Sequence, residues 1–116
     1  MSSSADCVFC RIVAGEIPAT ILHRDEHAIA IADLNAQAPT HLLVMPVEHF
    51  ANVNDFVAVA SPEAVAALWR TAARLGREHG DEGFRLVVNT GPHGGQTVDH
   101  LHVHVLAGRH MQWPPG

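Results

Sequence analysis

Lysine and tyrosine are both missing from this chain of 116 residues. Without lysine there is no Schiff-base chemistry, and no phosphate-binding loop of the kind that needs that side chain. Without tyrosine, proton transfer falls to His, Asp, Glu or Cys. Basic charge is scarce. Seven arginines stand against twelve acids, a net charge of −5, with no basic run, which argues against a nucleic-acid partner. A mononucleotide remains possible, because backbone amides and imidazoles hold a phosphate without a basic patch. No apolar stretch approaches the roughly 20 residues that cross a bilayer. The opening Met-Ser-Ser-Ser-Ala-Asp has neither the basic region nor the apolar run of a secretory signal. A cytoplasmic address with no membrane partner is therefore expected.

Apolar residues make up 47% of the chain and charged residues 16%, a balance that folds rather than staying disordered. The length suits one domain over 1–116, with 1–6 a frayed, disordered tail.

What is abundant is histidine, with ten copies. Three alternate with aliphatic residues in His100-Leu101-His102-Val103-His104-Val105-Leu106. In a strand, successive side chains point to opposite faces, so the histidines share one face and Leu101, Val103 and Val105 the other. Three imidazoles on one face concentrate metal-binding, nucleophilic and proton-transfer capacity. Burying them unpaired would cost about 1–3 kcal/mol per group, so a purely structural sheet has no use for them.

The rest of the chain reads as strands around one long helix. Cys7 to Cys10 leads into a helical turn over Arg11 to Glu16, which Ile17-Pro18 ends. Thr20 to Arg24 and His27 to Asp33 are two strands about a turn at Asp25-Glu26. His41 to Met45 is a third, ending at Pro46. Ser61-Pro62-Glu63 opens a helix with a hydroxyl cap, a proline and an acid. Its apolar stripe of Val65, Leu68, Trp69, Ala72 and Leu75 reads as core, and Gly80 stops it. Phe84 to Asn89 is a fourth strand, followed by a tight loop over Thr90 to Gly95. Trp113-Pro-Pro-Gly extends neither a helix nor an inner strand. This order predicts an α+β fold with an antiparallel sheet, one long helix and a short N-terminal helix.

Two further groups carry chemistry. Gly94-Gly95, with Gln96 and Thr97, delivers the chain into the histidine strand and can turn backbone N–H groups toward an anion. Asn89 is either another donor or an ordinary turn residue. Cys7 and Cys10 form a C-x-x-C pair that is open to three readings: a redox dithiol, half a zinc site or two small buried residues. The surplus of histidines favours zinc, since two thiolates and two neutral imidazoles complete a tetrahedron.

The stretch His100 to Leu106 resembles the histidine-triad (HIT) signature, His-φ-His-φ-His-φ-φ with φ apolar. Cys7 to Ala19, Gln37 to Pro46, Gly94 to Leu106 and the terminal Trp-Pro-Pro-Gly look like its Hint branch. The likeness runs from about Asp6 to Gly116. It implies a HIT-like fold that hydrolyses or transfers at the α-phosphate of purine nucleoside phosphoramidates, through a nucleotidyl-histidine intermediate.

By position, the resemblance makes His102 the nucleophile, His104 a donor or general acid, and His41 part of the supporting cluster. It implies that Asn89, Gly95, Gln96 and Thr97 hold the phosphate and that Asp33 binds the ribose hydroxyls. Val8, Phe9, Ile12, Ile31, Leu34 and Leu43 would wall the base pocket for an AMP- or GMP-like ligand. Bacterial-type members often bind zinc, and the matching ligands here are Cys7, Cys10, His49 and His100, with the metal structural. A homodimer is implied, joined through the long helix and the fourth strand, with the tail over 113–116 near the interface and reaching the partner's site. His23, His27, His79, His93 and His110 are expected at the surface. Two other functions compete with this one: dinucleoside polyphosphate hydrolysis, as in the Fhit branch, and a non-catalytic nucleotide sensor or partner-binding module.

Overall fold

The computed structural model describes residues 7–116, so the tail expected over 1–6 lies outside the described residues. Helix α1 spans Val8–Val13, capped by the Cys7 side chain, whose Sγ accepts from Cys10 N–H at 3.1 Å. It starts earlier than Arg11, because the cysteine itself supplies the acceptor that a helix start needs. Strands β1 (Ile21–Arg24) and β2 (Ala28–Ala32) pair as a hairpin. Its turn is built by Asp25, whose Oδ1 accepts from His27 N–H and Ala28 N–H. Strand β3 is Thr40–Pro46.

The sequence signals mark no helix or strand between Pro46 and Ser61, yet helix α2 forms at Val53–Val59, capped by the Asn52 side chain on Asp55 N–H. It is short and buries only Phe56. Helix α3 (Pro62–His79) begins at the Ser61 cap and ends at Gly80, as its sequence signals imply. Trp69 corrects one expectation: it is 37% exposed, while Leu68, Ala72 and Leu75 form the buried stripe. At 100° per residue the position beside Leu68 lies well round the helix, and a bulky ring there overhangs the edge of the apolar face.

Strand β4 (Phe84–Val88) is followed by a single helical turn, α4 (Gly91–Gly94), inside the expected loop. Strand β5 is Val103–Ala107. Only His104 of the three alternating histidines therefore lies in a paired strand, a second difference from the sequence. The side-chain alternation persists upstream of the pairing, because it depends on an extended backbone rather than on a neighbouring strand.

The sheet is antiparallel throughout, in the order β1-β2-β3-β5-β4. One face carries Ala30, Leu42, Val44, Val103 and Val105, packed with Leu101 against Leu68, Ala72 and Leu75 of α3 and against Phe50 and Phe56. The other face carries Ile29, Ile31, Leu43 and Met45 beneath Phe9, Cys10 and Ile12 of α1. Strand β2 is buried on both faces, and alanine at every second position keeps the side toward α3 narrow. The structure thus matches the α+β expectation, with α2 and the single turn α4 added.

Gly76 marks the closest approach of α3 to the sheet: a Cβ there would overlap the Phe84 ring of β4. Alanine normally gains about 1 kcal/mol over glycine inside a helix. Here Gly76→Ala is expected to lose about 1–3 kcal/mol instead, read as a lower urea midpoint.

Candidate functional site

Four donors converge where α1 meets the chain entering β5. Cys7 Sγ lies 3.3 Å from His100 Nδ1, and Cys10 Sγ lies 3.4 Å from the same atom and 3.2 Å from His49 Nδ1. All four ligand atoms fall within 4.8 Å of one another. A tetrahedral zinc with about 2.3 Å bonds to sulfur and about 2.0 Å to nitrogen spaces sulfur and nitrogen about 3.5 Å apart. The donor set therefore fits zinc in both chemistry and spacing.

His100 is fully buried, and its Nε2–H donates to Pro46 O at 3.0 Å. That bond turns the Nδ1 lone pair toward the thiolates. Burial lowers the His100 pKa to about 4, so the neutral, ligating form prevails at neutral pH.

The next histidine hangs on the same residue. His102 Nδ1–H donates to the His100 carbonyl at 2.7 Å. With the proton held on Nδ1, the lone pair sits on Nε2. The ring is 8% exposed and meets Phe9 edge-on, with centroids 5.1 Å apart.

His104 completes a chain of hydrogen bonds whose directions can be deduced. Gln37 N–H donates to His41 Nδ1 at 3.0 Å, so His41 carries its proton on Nε2. That Nε2–H faces His104 Nδ1 at 2.9 Å and Asp33 Oδ2 at 3.3 Å. With Nδ1 accepting, neutral His104 must keep its own proton on Nε2. Burial lowers the His104 pKa to about 4, and repulsion from His102 and His41 adds to the effect, while Asp33 opposes it. Burial lowers His41 as well, again against Asp33. Both rings are neutral hydrogen-bond relays at neutral pH.

The other expected residues divide. Gln96 is built into its loop: Nε2 donates to Ala51 O at 2.7 Å and Val98 O at 3.0 Å, while Oε1 accepts from Gly91 N–H at 3.2 Å. It organises the loop with both amide hydrogens already used. Gly95 takes φ +81°, a left-handed conformation that glycine allows, and Thr97 is exposed beside it. Phe9, Ile12, Ile31 and Leu43 are buried together under α1, whereas Val8 is 40% and Leu34 99% exposed. Of the other histidines, His79, His93 and His110 are exposed, and His23 and His27 are half-buried. His23 links Asp25 to Arg74 of α3.

Helix α1 covers the histidine face only over β2 and β3. Over β5 and β4 the same face opens into a cleft of about 630 Å³, headed by His41, His104 and Asn89 and walled by Val87 and Leu106. Arg85 and Arg109 also line it, and both were missed in the sequence. The period of two along Phe84 to Asn89 places Arg85 on Asn89's face and could have found it. Among the described residues, no helix is long and apolar enough to cross a membrane.

This geometry coincides with a known family. The HIT domain model matches residues 14–111, and the chain belongs to the HIT family. It is 39% identical over 113 residues to the 14 kDa zinc-binding protein of Brassica juncea, across 96% of this chain and 100% of that one. A HIT family hydrolase from Legionella pneumophila Philadelphia 1 has a TM-score of 0.87 and 44% identity, over 96% of this chain and 100% of that one. A zinc-bound histidine triad family protein from Mycobacterium smegmatis has a TM-score of 0.79 and 35% identity, over 92% and 78% respectively.

The histidine cluster predicts an acid-sensitive fold. The folded chain holds the His104 pKa near 4 against an ordinary value of 6.5, so the unfolded chain binds that proton more readily. The stability involved is complete above pH 6.5 and is lost as the pH falls toward 4. Urea midpoints are expected to fall by about 1–3 kcal/mol equivalent over this window, and His104→Asn should flatten the decline.

Proposed function

We propose that this chain is a zinc-containing nucleotide hydrolase that cleaves purine nucleoside phosphoramidates at the α-phosphorus, through a nucleotide bound covalently to His102. The observation that carries this reading is the His102 ring itself, with Nδ1–H fixed on the His100 carbonyl and the lone pair left on Nε2. The fold shared with the Legionella HIT family hydrolase supports the hydrolytic class.

Nε2 of His102 attacks phosphorus as the P–N bond to the leaving amine breaks, and the amine takes a proton from water in the open cleft. The resulting nucleotidyl-imidazolium is stabilised by its Nδ1–H bond to the His100 carbonyl. Water then displaces His102 from phosphorus and releases the nucleoside monophosphate. His104, neutral with Nε2–H, donates to a nonbridging oxygen, and His41 holds it in that tautomer. Asn89, Thr97 and the backbone at Gly95 hold the phosphate, with Gln96 fixing the loop. Val8, Phe9, Ile12, Ile31, Leu34 and Leu43 wall the base pocket, and the Asp33 carboxylate takes the ribose hydroxyls.

Cys7, Cys10, His49 and His100 would hold zinc in a structural role, since four protein donors would leave it no open position and would tie α1 to the residue that holds the nucleophile. The chain is one domain and works as a homodimer through α3 and the edge strand β4. An unpaired edge and the part-exposed Trp69 support that assembly.

Mixing with adenosine 5′-phosphoramidate should give a nucleotide-sized mass increase on His102. His102→Asn should lose turnover by about 10³-fold or more while still binding AMP. Turnover surviving that substitution would sink the covalent route. Independently, Cys10→Ser should leave purified protein with well under one zinc per chain by elemental analysis, and should lower its melting temperature.

A further inference from the structure

Helix α1 relies on two sulfur atoms in two separate ways. Cys7 Sγ caps its first turn by accepting from Cys10 N–H at 3.1 Å. Cys7 Sγ and Cys10 Sγ also stand 3.3 and 3.4 Å from one nitrogen, His100 Nδ1, and so tie the helix to the chain entering β5. Further hold comes from the burial of Phe9 and Ile12 and from Arg24 Nη1, which donates to Val13 O at 2.9 Å. The helix carries Phe9 against the His100 and His102 rings, with centroids 5.9 and 5.1 Å apart. A change at the sulfurs therefore reaches the histidine face.

The cysteines are also placed for each other. They occupy the cap and the third position of a helix start, where Cα atoms lie about 5 Å apart. That falls inside the roughly 4.4–6.8 Å that a disulfide spans. Their sulfurs lie within 4.8 Å of one another, which leaves side-chain rotation as the movement required. Cys7 keeps 9% of its surface exposed and His49 is half-buried, so the cluster opens to solvent at that edge. One arrangement thus serves both the metal chemistry and the dithiol chemistry that the C-x-x-C spacing leaves open.

We propose that Cys7 and Cys10 form an oxidation site, at which hydrogen peroxide converts the zinc-binding thiolates into a disulfide, releases the metal and unlatches α1 from the histidine strand. One thiolate attacks the peroxide, the O–O bond breaks, and with one proton a sulfenic acid and a water form. The second thiolate attacks the sulfenic sulfur, and with another proton a second water departs. Two thiolates, one peroxide and two protons give one disulfide and two waters, so the sulfurs lose the two electrons that the peroxide gains. His49 and His100 then offer two donors, half of what a structural zinc takes. A bond confined to residues 7–10 makes no tie to His100, and a disulfide sulfur is a poorer acceptor than a thiolate. The cap and the tie fail together. The proposal uses the zinc assignment and is independent of the phosphoramidase reading.

The experiment treats zinc-loaded protein with hydrogen peroxide beside a chromogenic zinc chelator. One zinc per chain should be released as two thiols disappear. The first arginine is Arg11 and the chain has no lysine, so one tryptic peptide holds both cysteines. Its mass should fall by about 2 Da, the two hydrogens lost in forming the bond. Amide exchange over Val8–Val13 should quicken, and dithiothreitol with added zinc should reverse all of these changes. Added zinc alone should restore slow exchange to chelator-stripped, reduced protein but not to oxidised protein, which separates the disulfide from simple loss of metal.

Thiols that outlast a large excess of peroxide, oxygen atoms added to the peptide, a bond between two chains, or zinc retained beside the disulfide would each overturn the site. Exchange over Val8–Val13 that oxidation leaves unchanged overturns the unlatching. Protein that takes up no zinc when supplied with it refutes the metal assignment, and the oxidation site falls with it. A failed phosphoramidase assay alters none of these readouts.

Discussion

One short hydrogen bond organises this molecule, from His102 Nδ1–H to the backbone carbonyl of His100 at 2.7 Å. It selects the tautomer of the His102 ring and fixes its plane. The residue that supplies the carbonyl is anchored at both ring nitrogens: Nε2–H on Pro46 O and Nδ1 among two sulfurs and His49. An acceptor on so immobile a residue holds its donor well, since little of the bond's free energy is spent in ordering the acceptor. The metal-binding corner and the histidine cluster around His102 therefore meet in one amino acid, which contributes its side chain to the first and its backbone to the second.

The second organising fact is that one sheet face is only half roofed. Six residues of α1 cover β2 and β3, and the imidazoles stand where that cover ends. Phe9 and Ile31 desolvate one side of the cluster, while its other side faces the open cleft. Burial keeps His104 neutral without closing it off. A fully solvated cluster would titrate near neutrality, and a sealed one would admit no ligand.

Much of this was legible in the sequence wherever a local rule applies. Alternation put the three histidines on one face, and Ser61-Pro62 with Gly80 bounded α3. The points that were not legible depend on neighbours. Pairing of β5 starts at Val103 because β3 and β4 begin their registers at Val44 and Val88, which the local pattern does not encode. Helix α2 was passed over because seven residues with one buried side chain carry too little periodicity. Gln96 is a loop brace through contacts with Ala51, far away in the chain. The arginine cleft arises only when the C-terminal segment folds back across β4 and β5.

The pleat also restricts how this stretch can change. Between Leu101 and Val105 every position is either a core-filling aliphatic or an imidazole. Removing or adding a single residue there would turn an imidazole into the hydrocarbon layer under α3 and place an aliphatic side chain on the histidine face. Length changes within the stretch are tolerable only in pairs, so its spacing is bound by packing as strictly as by chemistry.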